Sequence, residues 1–564
     1  MSTSEFARQA TRGFAWNHIY RIVDYGLWNV FMAVIARQLG PTVAAPFVYY
    51  MAIAMPLALI GTLGVDGVLL RFLARVSHDG RDSDGKDLTA LPLEQFLTRL
   101  FSFRLVVTLI VVALVFVLLV LMPMIIPSTA AAIGSLGALA PFLMVFLAGQ
   151  AMTSFATFAL IGLLRVQEVF VASLISRSLL IIGLVIMLFT HSVDVWNAVA
   201  IHSASVLLNA VLLLYSLNRI VRSMRQAPEQ ERRKLIKPIL EVLRELRAFV
   251  FKPTAIKFFL LTPVMLYGIT TWGSDLLSSV LGRQPDIVMM RIFFGEHSKE
   301  IGYYQVACQV LLMTEYICLF GLSGAIVSVF SSLVHKDEND PSIAKGKYPS
   351  LARARREVMS FQVVVILPLC TFMFAFAPRL ILLVFGKEYI ESESILRWGL
   401  LILAANIALV GGGVHITSLV TIGKERMVFR YRLFWGATNL IVNYFLILHY
   451  GALGALFGTQ LANLAACVTE SIKARSLIGS AFDARNTLAV ASIATVSAAF
   501  AYYLIDLLTP SLALFWQLAF GSILSIGSCL LLYYVFRLRS ARGVFDRGVG
   551  FLSPARNLTT AANP

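Results

Sequence analysis

Of the 564 residues, 58% are hydrophobic and only 14% charged, with a mean hydropathy of +0.79. Soluble domains are about 45–50% apolar, so a water-soluble globule is excluded and a polytopic membrane protein is implied. The net charge of +16 would suggest nucleic acid in a soluble chain. Here it has to be read by its position relative to the spans, and no nucleic-acid partner is expected.

Runs of about 20 apolar residues, enough to cross ~30 Å of hydrocarbon at ~1.5 Å per residue, mark fourteen expected spans. An N-terminal lobe, residues 1–218, holds six of them at 14–36, 44–70, 103–122, 136–162, 169–190 and 195–218. Residues 219–257 form a basic linker in which Leu235, Ile239, Val242, Leu243, Leu246 and Phe249 share one helical face and Arg244 and Arg247 another. This predicts an amphipathic helix lying on the inner surface. A C-terminal lobe, 258–475, holds spans at 258–292, 304–334, 359–384, 394–418, 429–449 and 451–472. Two more, 486–507 and 513–536, precede the tail in 476–564. The seventh span, at 35 residues, is too long to stand upright, so Gly282 and Pro285 are expected to bend or unwind it.

The opening hairpin, from Gly13 to Arg75, is expected to recur at mid-chain. Arg37, Gly40 and Tyr49 align with Arg291, Gly295 and Tyr304, with one step of slip at the arginine, and Gly64 and Gly67 lie on Gly321 and Gly324. Such internal repeats are expected of transporters built from paired bundles. With a cytoplasmic N-terminus, 38 Lys and Arg fall on the inner side and 7 on the outer. That bias places both termini inside. The first apolar run already contains Arg21 and Asp24, so no cleavable signal is expected.

Enzyme motifs are wanting. There is no P-loop, and Asp82 and Asp84 form a D-x-D in a short loop best read as a solvated charge run. Five cysteines sit in apolar segments with no metal or disulfide spacing, so no metal, no cofactor and no catalytic role are expected. His202 and His415 are read as interhelical hydrogen-bonding residues. Charges inside spans are the functional signal, since each costs at least ~2.5 kcal/mol at mid-bilayer unless paired or hydrated. Arg21 and Arg177 stand at the same depth, ~12 Å from the inner face, and suit a phosphate or pyrophosphate gripped bidentately. Asp24, one turn beyond Arg21, is the obvious structural partner of that arginine. Arg291 follows Asp275 and Asp286 along the seventh span, and Glu315 lies near mid-membrane in the eighth. Asp24, Asp66, Asp275, Asp286 and Glu315 are the candidate cavity or ion-coupling acids.

A series of short pieces then resembles a known family. They are Ala36 through Pro41, Leu63 through Asp66 with Arg71 and Phe72, and Phe103 with Arg104. In the second half they are Asp286, Gly302 through Tyr304, Ala307, Phe385 through Tyr389, Ile395 through Arg397, and Gly451 through Ala455. In this order the chain resembles the polysaccharide-transporter (Wzx-type) branch of the multidrug/oligosaccharidyl-lipid/polysaccharide (MOP) flippase superfamily. It departs from the family at Gly282–Asp286, where the family usually continues one smooth helix.

The resemblance implies an all-α fold of two six-helix lobes with two C-terminal helices. It also implies a flippase for undecaprenyl-pyrophosphate-linked oligosaccharide in a bacterial inner membrane, with membrane lipids, a polysaccharide polymerase and glycosyltransferases as partners. A lipid II flippase, a MATE-type cation or drug antiporter, and a membrane-embedded polymerase or ligase stay open as alternatives.

Overall fold

The computed structural model describes residues 3–79, 93–126, 133–163, 165–224, 259–319, 330–331, 333–335, 337–344, 346–411, 413–508 and 512–536, together with Arg244 and Arg247. The D-x-D at Asp82, the 219–257 linker beyond Met224 apart from Arg244 and Arg247, and Gly321 and Gly324 of the repeat lie outside these residues. Among the described residues the structure is all-helical, and ten helices are long and apolar enough to cross a membrane. The protein is a multi-pass membrane protein.

In chain order the helices are α1 (Thr3–Ile60), α2 (Val65–Asp79), α3 (Leu93–Phe116), α4 (Ala140–Gly162), α5 (Val166–Phe189), α6 (Val195–Met224), α7 (Pro263–Val280) and α8 (Gln284–Phe294). There follow α9 (Lys299–Leu319), α10 (Pro349–Val384), α11 (Ser392–Val410), α12 (Val414–Thr421), α13 (Glu425–Ile478), α14 (Ala484–Leu508) and α15 (Leu514–Val535). Two of the ten long segments contain a non-helical glycine, Gly40 in α1 and Gly451 in α13.

At Gly40 (φ 70°, ψ 170°) the backbone adopts a conformation that costs any residue with a Cβ. The arms fold back there, because the Phe31 and Phe47 rings meet at 6.4 Å, whereas sixteen residues of unbroken helix would separate them by ~24 Å. Gly295, the residue aligned with Gly40 in the repeat, ends α8 at φ 84°, ψ 170°, and both aligned tyrosines, Tyr49 and Tyr304, are buried. The repeat read from a few residues therefore recurs as a shared backbone conformation.

Three spans depart from simple rods. The seventh breaks at Leu281–Arg283, with Pro285 in the first turn of α8, as the sequence predicts. The second, expected to run unbroken over 44–70, stops at Ile60 and resumes at Val65. The cause is local. Leu63 (φ 37°) and Gly64 (φ 82°) are left-handed, and the freed carbonyl of Leu59 accepts from Thr62 N at 3.0 Å and Thr62 Oγ1 at 2.9 Å. A third donor, Trp272 Nε1 of α7, reaches the same oxygen at 2.9 Å. The tenth span likewise ends at Val410, where left-handed Gly411 donates to Asn406 O at 3.1 Å and Ile407 O at 3.0 Å.

By contact density the chain falls into two units. The first is Met1–Gly302 with Arg432–Gly451. Its α7, its α8 and the Arg432–Gly451 stretch are ones the sequence reading groups with the C-terminal lobe. Its core unites α2, α3, α4, α5, α6 and α7 through Val65, Leu69, Phe96, Leu100, Phe155, Leu160, Val169, Leu213 and Met265. The second unit is Tyr303–Tyr431 with Ala452–Pro564. There α14 and α15 pack on α10 through Val363, Leu367, Val490, Ala494, Cys529 and Tyr533. Arg379 of α10 pairs with Asp506 of α14 at 2.6 Å.

Candidate functional site

The break between α1 and α2 roofs a cavity of about 330 Å³. Among its lining residues are Thr62, Asp66, Arg104, Gln150, Ser154, Phe158, Thr271, Trp272 and Asp275, contributed by the turn, α2, α3, α4 and α7. Asp66 enters in the first turn of α2, where the helix dipole favours a carboxylate. Arg104 Nη1 donates to its Oδ1 at 3.2 Å and Ser154 Oγ to its Oδ2 at 2.5 Å. Arg104 is 1% exposed and Asp66 17%, so the guanidinium lies behind the carboxylate. Arg104 Nε and Nη2 have no hydrogen-bond partner among the described residues. Asp275, one helix across, is exposed at the cavity.

Glycines bring the wall of this cavity close. A Cβ on Gly268 of α7 would lie 2.6 Å from Gly64 O and 2.7 Å from Val68 Cγ2. One on Gly67 would lie 2.8 Å from Thr271 Oγ1. The α2–α7 seam is thus backbone against backbone, and Thr271, Trp272 and Asp275 face the cavity because of it.

The other sequence-predicted residues fall elsewhere in the first unit. Asp24 binds Arg177 of α5 bidentately, Nε at 2.7 Å and Nη2 at 3.3 Å. The guanidinium also lies 5.5 Å from the Trp28 ring centroid, a favourable cation–π position. The side chain of Arg21 is outside the described residues. His202, expected to hydrogen-bond, makes no hydrogen bond among the described residues. Its ring instead packs 4.6 Å from Trp28 and 5.4 Å from Phe146. His415 in the second unit is likewise buried with no hydrogen bond among the described residues.

Arg291 stands at the end of α8, 3.6 Å from Glu296 and 4.3 Å above the Tyr49 ring, and donates to Ile133 O at 3.0 Å. Glu296 in turn accepts from the Ser135 amide at 3.2 Å and from its hydroxyl. Gly134 (φ 59°) completes this knot, since a Cβ there would lie 2.7 Å from Arg291 Nη2. Gly134→Ala is expected to lower thermal stability in detergent by about 1–3 kcal/mol, read as an earlier fluorescence melt than wild type. An unchanged melt would show that the knot bears no load.

Asp286, fully buried, accepts from Asn443 Nδ2 at 2.6 Å, and Asn443 donates to Asn439 Oδ1 at 3.1 Å. Glu315, half-buried on α9, belongs to the second unit and has no ion pair among the described residues. Of the predicted site residues, the structure therefore brings Asp66 and Asp275 together at one cavity and pairs Asp24 with Arg177. Arg104 and Ser154 were missed as site residues. Arg104 counts among the inner-face charges if the third span begins at 103, but α3 begins at Leu93, so Arg104 sits eleven residues, ~16 Å, inside it.

An all-helical membrane chain with broken helices lining a charged cavity has the fold of the MOP superfamily. Among solved structures it is similar to the lipid II flippase MurJ in an inward closed conformation, with a TM-score of 0.61 at 14% identity over 93% of this chain and 99% of that one. It is also similar to an inward-facing multidrug resistance MATE family transporter of the MOP superfamily, at 0.55 and 15% over 81% and 97%. A third likeness is to a MOP superfamily transporter from Pyrococcus furiosus with a binding pocket of reverse polarity, at 0.53 and 15% over 83% and 95%. At these identities the likeness shows the fold. A search of curated protein sequences finds no match. A profile described as "Polysaccharide biosynthesis protein" matches residues 10–334, more than half of the chain, and the protein belongs to that family.

Proposed function

We propose that the protein is a flippase that carries undecaprenyl-pyrophosphate-linked oligosaccharide, an O-antigen or exopolysaccharide repeat unit, from the inner to the outer leaflet of a bacterial inner membrane by alternating access. The observation that carries this reading is a charged, polar cavity inside an apolar helical unit of a polysaccharide biosynthesis family member. A glycan headgroup cannot cross hydrocarbon unaided, because each unpaired hydroxyl costs several kcal/mol there, roughly 2–7 by reference state. The prenyl tail stays in lipid throughout. Pathway glycosyltransferases and a polymerase would be its partners, and both termini would be cytoplasmic.

Arg21, Arg177 and Arg291 are the proposed diphosphate-binding groups, and the pairing of Arg177 suggests how. A diphosphate oxygen pair presents the same fork-to-fork geometry as the Asp24 carboxylate. Substrate would exchange with Asp24 at the guanidinium, and the empty site would close again on Asp24. Asp24, Asp66, Asp275, Asp286 and Glu315 remain candidate ion-coupling acids. Arg177→Ala is expected to insert normally and to reduce translocation at least tenfold. The assay uses proteoliposomes with a defined prenyl-diphosphate oligosaccharide, scoring lectin access to the trans leaflet. Wild-type rates in Arg177→Ala would remove the diphosphate role. No translocation by the wild type would remove the flippase reading.

A second reading, a cation antiporter of the same fold, is favoured by the two carboxylates facing one guanidinium in the cavity. Cation efflux by the purified protein in vesicles, without glycolipid, would decide for it.

A further inference from the structure

Charge alone does not account for what lines the cavity. Trp272 and Phe158 bring two half-buried aromatic rings to it. The Trp272 indole is fixed by its bond to Leu59 O at 2.9 Å, which holds the ring without using its face. Gln150, Ser154 and Thr271 add an amide and hydroxyls, and Asp66 and Asp275 add carboxylates. A sugar ring has two kinds of surface, an apolar C–H face and an edge of hydroxyls. Aromatic faces suit the first, and amides, hydroxyls and carboxylates suit the second. At about 330 Å³ the cavity falls at the small end of the ~300–1,000 Å³ of ligand sites, room for one or two rings and not for a polymer.

The charges select among sugars. Both Asp66 oxygens are engaged, by Arg104 and Ser154, which leaves Asp275 as the carboxylate open to a ligand. A uronate entering beside Asp275 would set like charges together at short range. A neutral or amino sugar would not.

We propose that this cavity is a carbohydrate subsite. It takes a neutral or amino sugar of the lipid-linked headgroup, stacked on Trp272, and rejects uronate residues through Asp275. The source of the sugar rests on the flippase reading; the subsite itself does not.

The test uses the full-length protein in nanodiscs and saturation-transfer NMR with the methyl glycosides of N-acetylglucosamine, glucosamine and glucuronic acid. The first two are expected to receive saturation and the glucuronide at least fivefold less. Trp272→Ala should lower the signal of the neutral sugar at least fivefold, while Trp272→Phe, which keeps an aromatic face, should retain most of it. Asp275→Asn should admit the glucuronide. Equal signals from all three glycosides in the wild type would overturn the proposal. So would an absence of signal from any of them, or signals indifferent to Trp272→Ala and Asp275→Asn. Translocation of the prenyl-linked glycan, measured in parallel, separates the two ideas. Translocation without glycoside binding defeats the subsite alone, and binding without translocation defeats the flippase alone.

Discussion

Asp66→Ala is expected to destabilise the protein by about 3–5 kcal/mol, because it strands the Arg104 charge in a nearly dry setting. Arg104 is 1% exposed, and Asp66 supplies the acceptor recorded for its guanidinium. The measurement is a thermal melt in detergent alongside the yield of monodisperse protein. The double substitution Asp66→Ala with Arg104→Met should recover most of the loss, since replacing both members of a buried pair by apolar groups is often neutral. Asp66→Asn should fall between, keeping an acceptor oxygen for Arg104 while its amide N–H meets the Ser154 hydroxyl, but losing the charge. A single Asp66→Ala variant as stable as wild type would mean that Arg104 has another counter-charge, and the cavity's electrostatics would need redrawing.

Gly64→Ala should be nearly as damaging, for two separable reasons. The residue sits at φ 82°, which costs an alanine about 1–2 kcal/mol. Its Cβ would also enter the backbone of Gly268, and forced overpacking adds about 1–3 kcal/mol. Gly268→Ala isolates the second effect, because that glycine is in helix α7 with its Cβ aimed at Gly64 O, 2.6 Å away. Gly26→Ala is the control, with nothing within 4 Å of the added carbon, and should be neutral or slightly stabilising. If Gly64→Ala and Gly26→Ala melt together, the α2–α7 seam is looser than its geometry indicates.

Much of the architecture was legible because helix breakers and apolar run lengths are local signals. Pro285 beside Gly282 announced the break between α7 and α8, and Gly40 with Gly295 announced matched helix ends. The break at Gly61–Gly64 was not legible, since apolar residues continue through it. What stops the helix is a left-handed pair stabilised by Trp272, more than two hundred residues away. The same non-locality hid Arg104. Its importance depends on how far α3 extends beyond the apolar run, and polar residues such as Glu94 and Arg99 in its first turns disguise that extension. Asp24 and Arg177 were both picked out for being charged inside spans. Their pairing with each other followed from α1 packing on α5, which composition does not encode.

One joint in the first unit has a mechanical consequence. The two arms of α1 are linked by a single non-helical residue and meet across it at Phe31 and Phe47. A tilt of the first arm, where Asp24 holds Arg177, would reach the second arm, and with it the Leu59 carbonyl that anchors Trp272, through that joint. The hairpin is therefore a lever with a one-residue fulcrum, able to turn a disturbance at one charged pair into movement of the cavity roof.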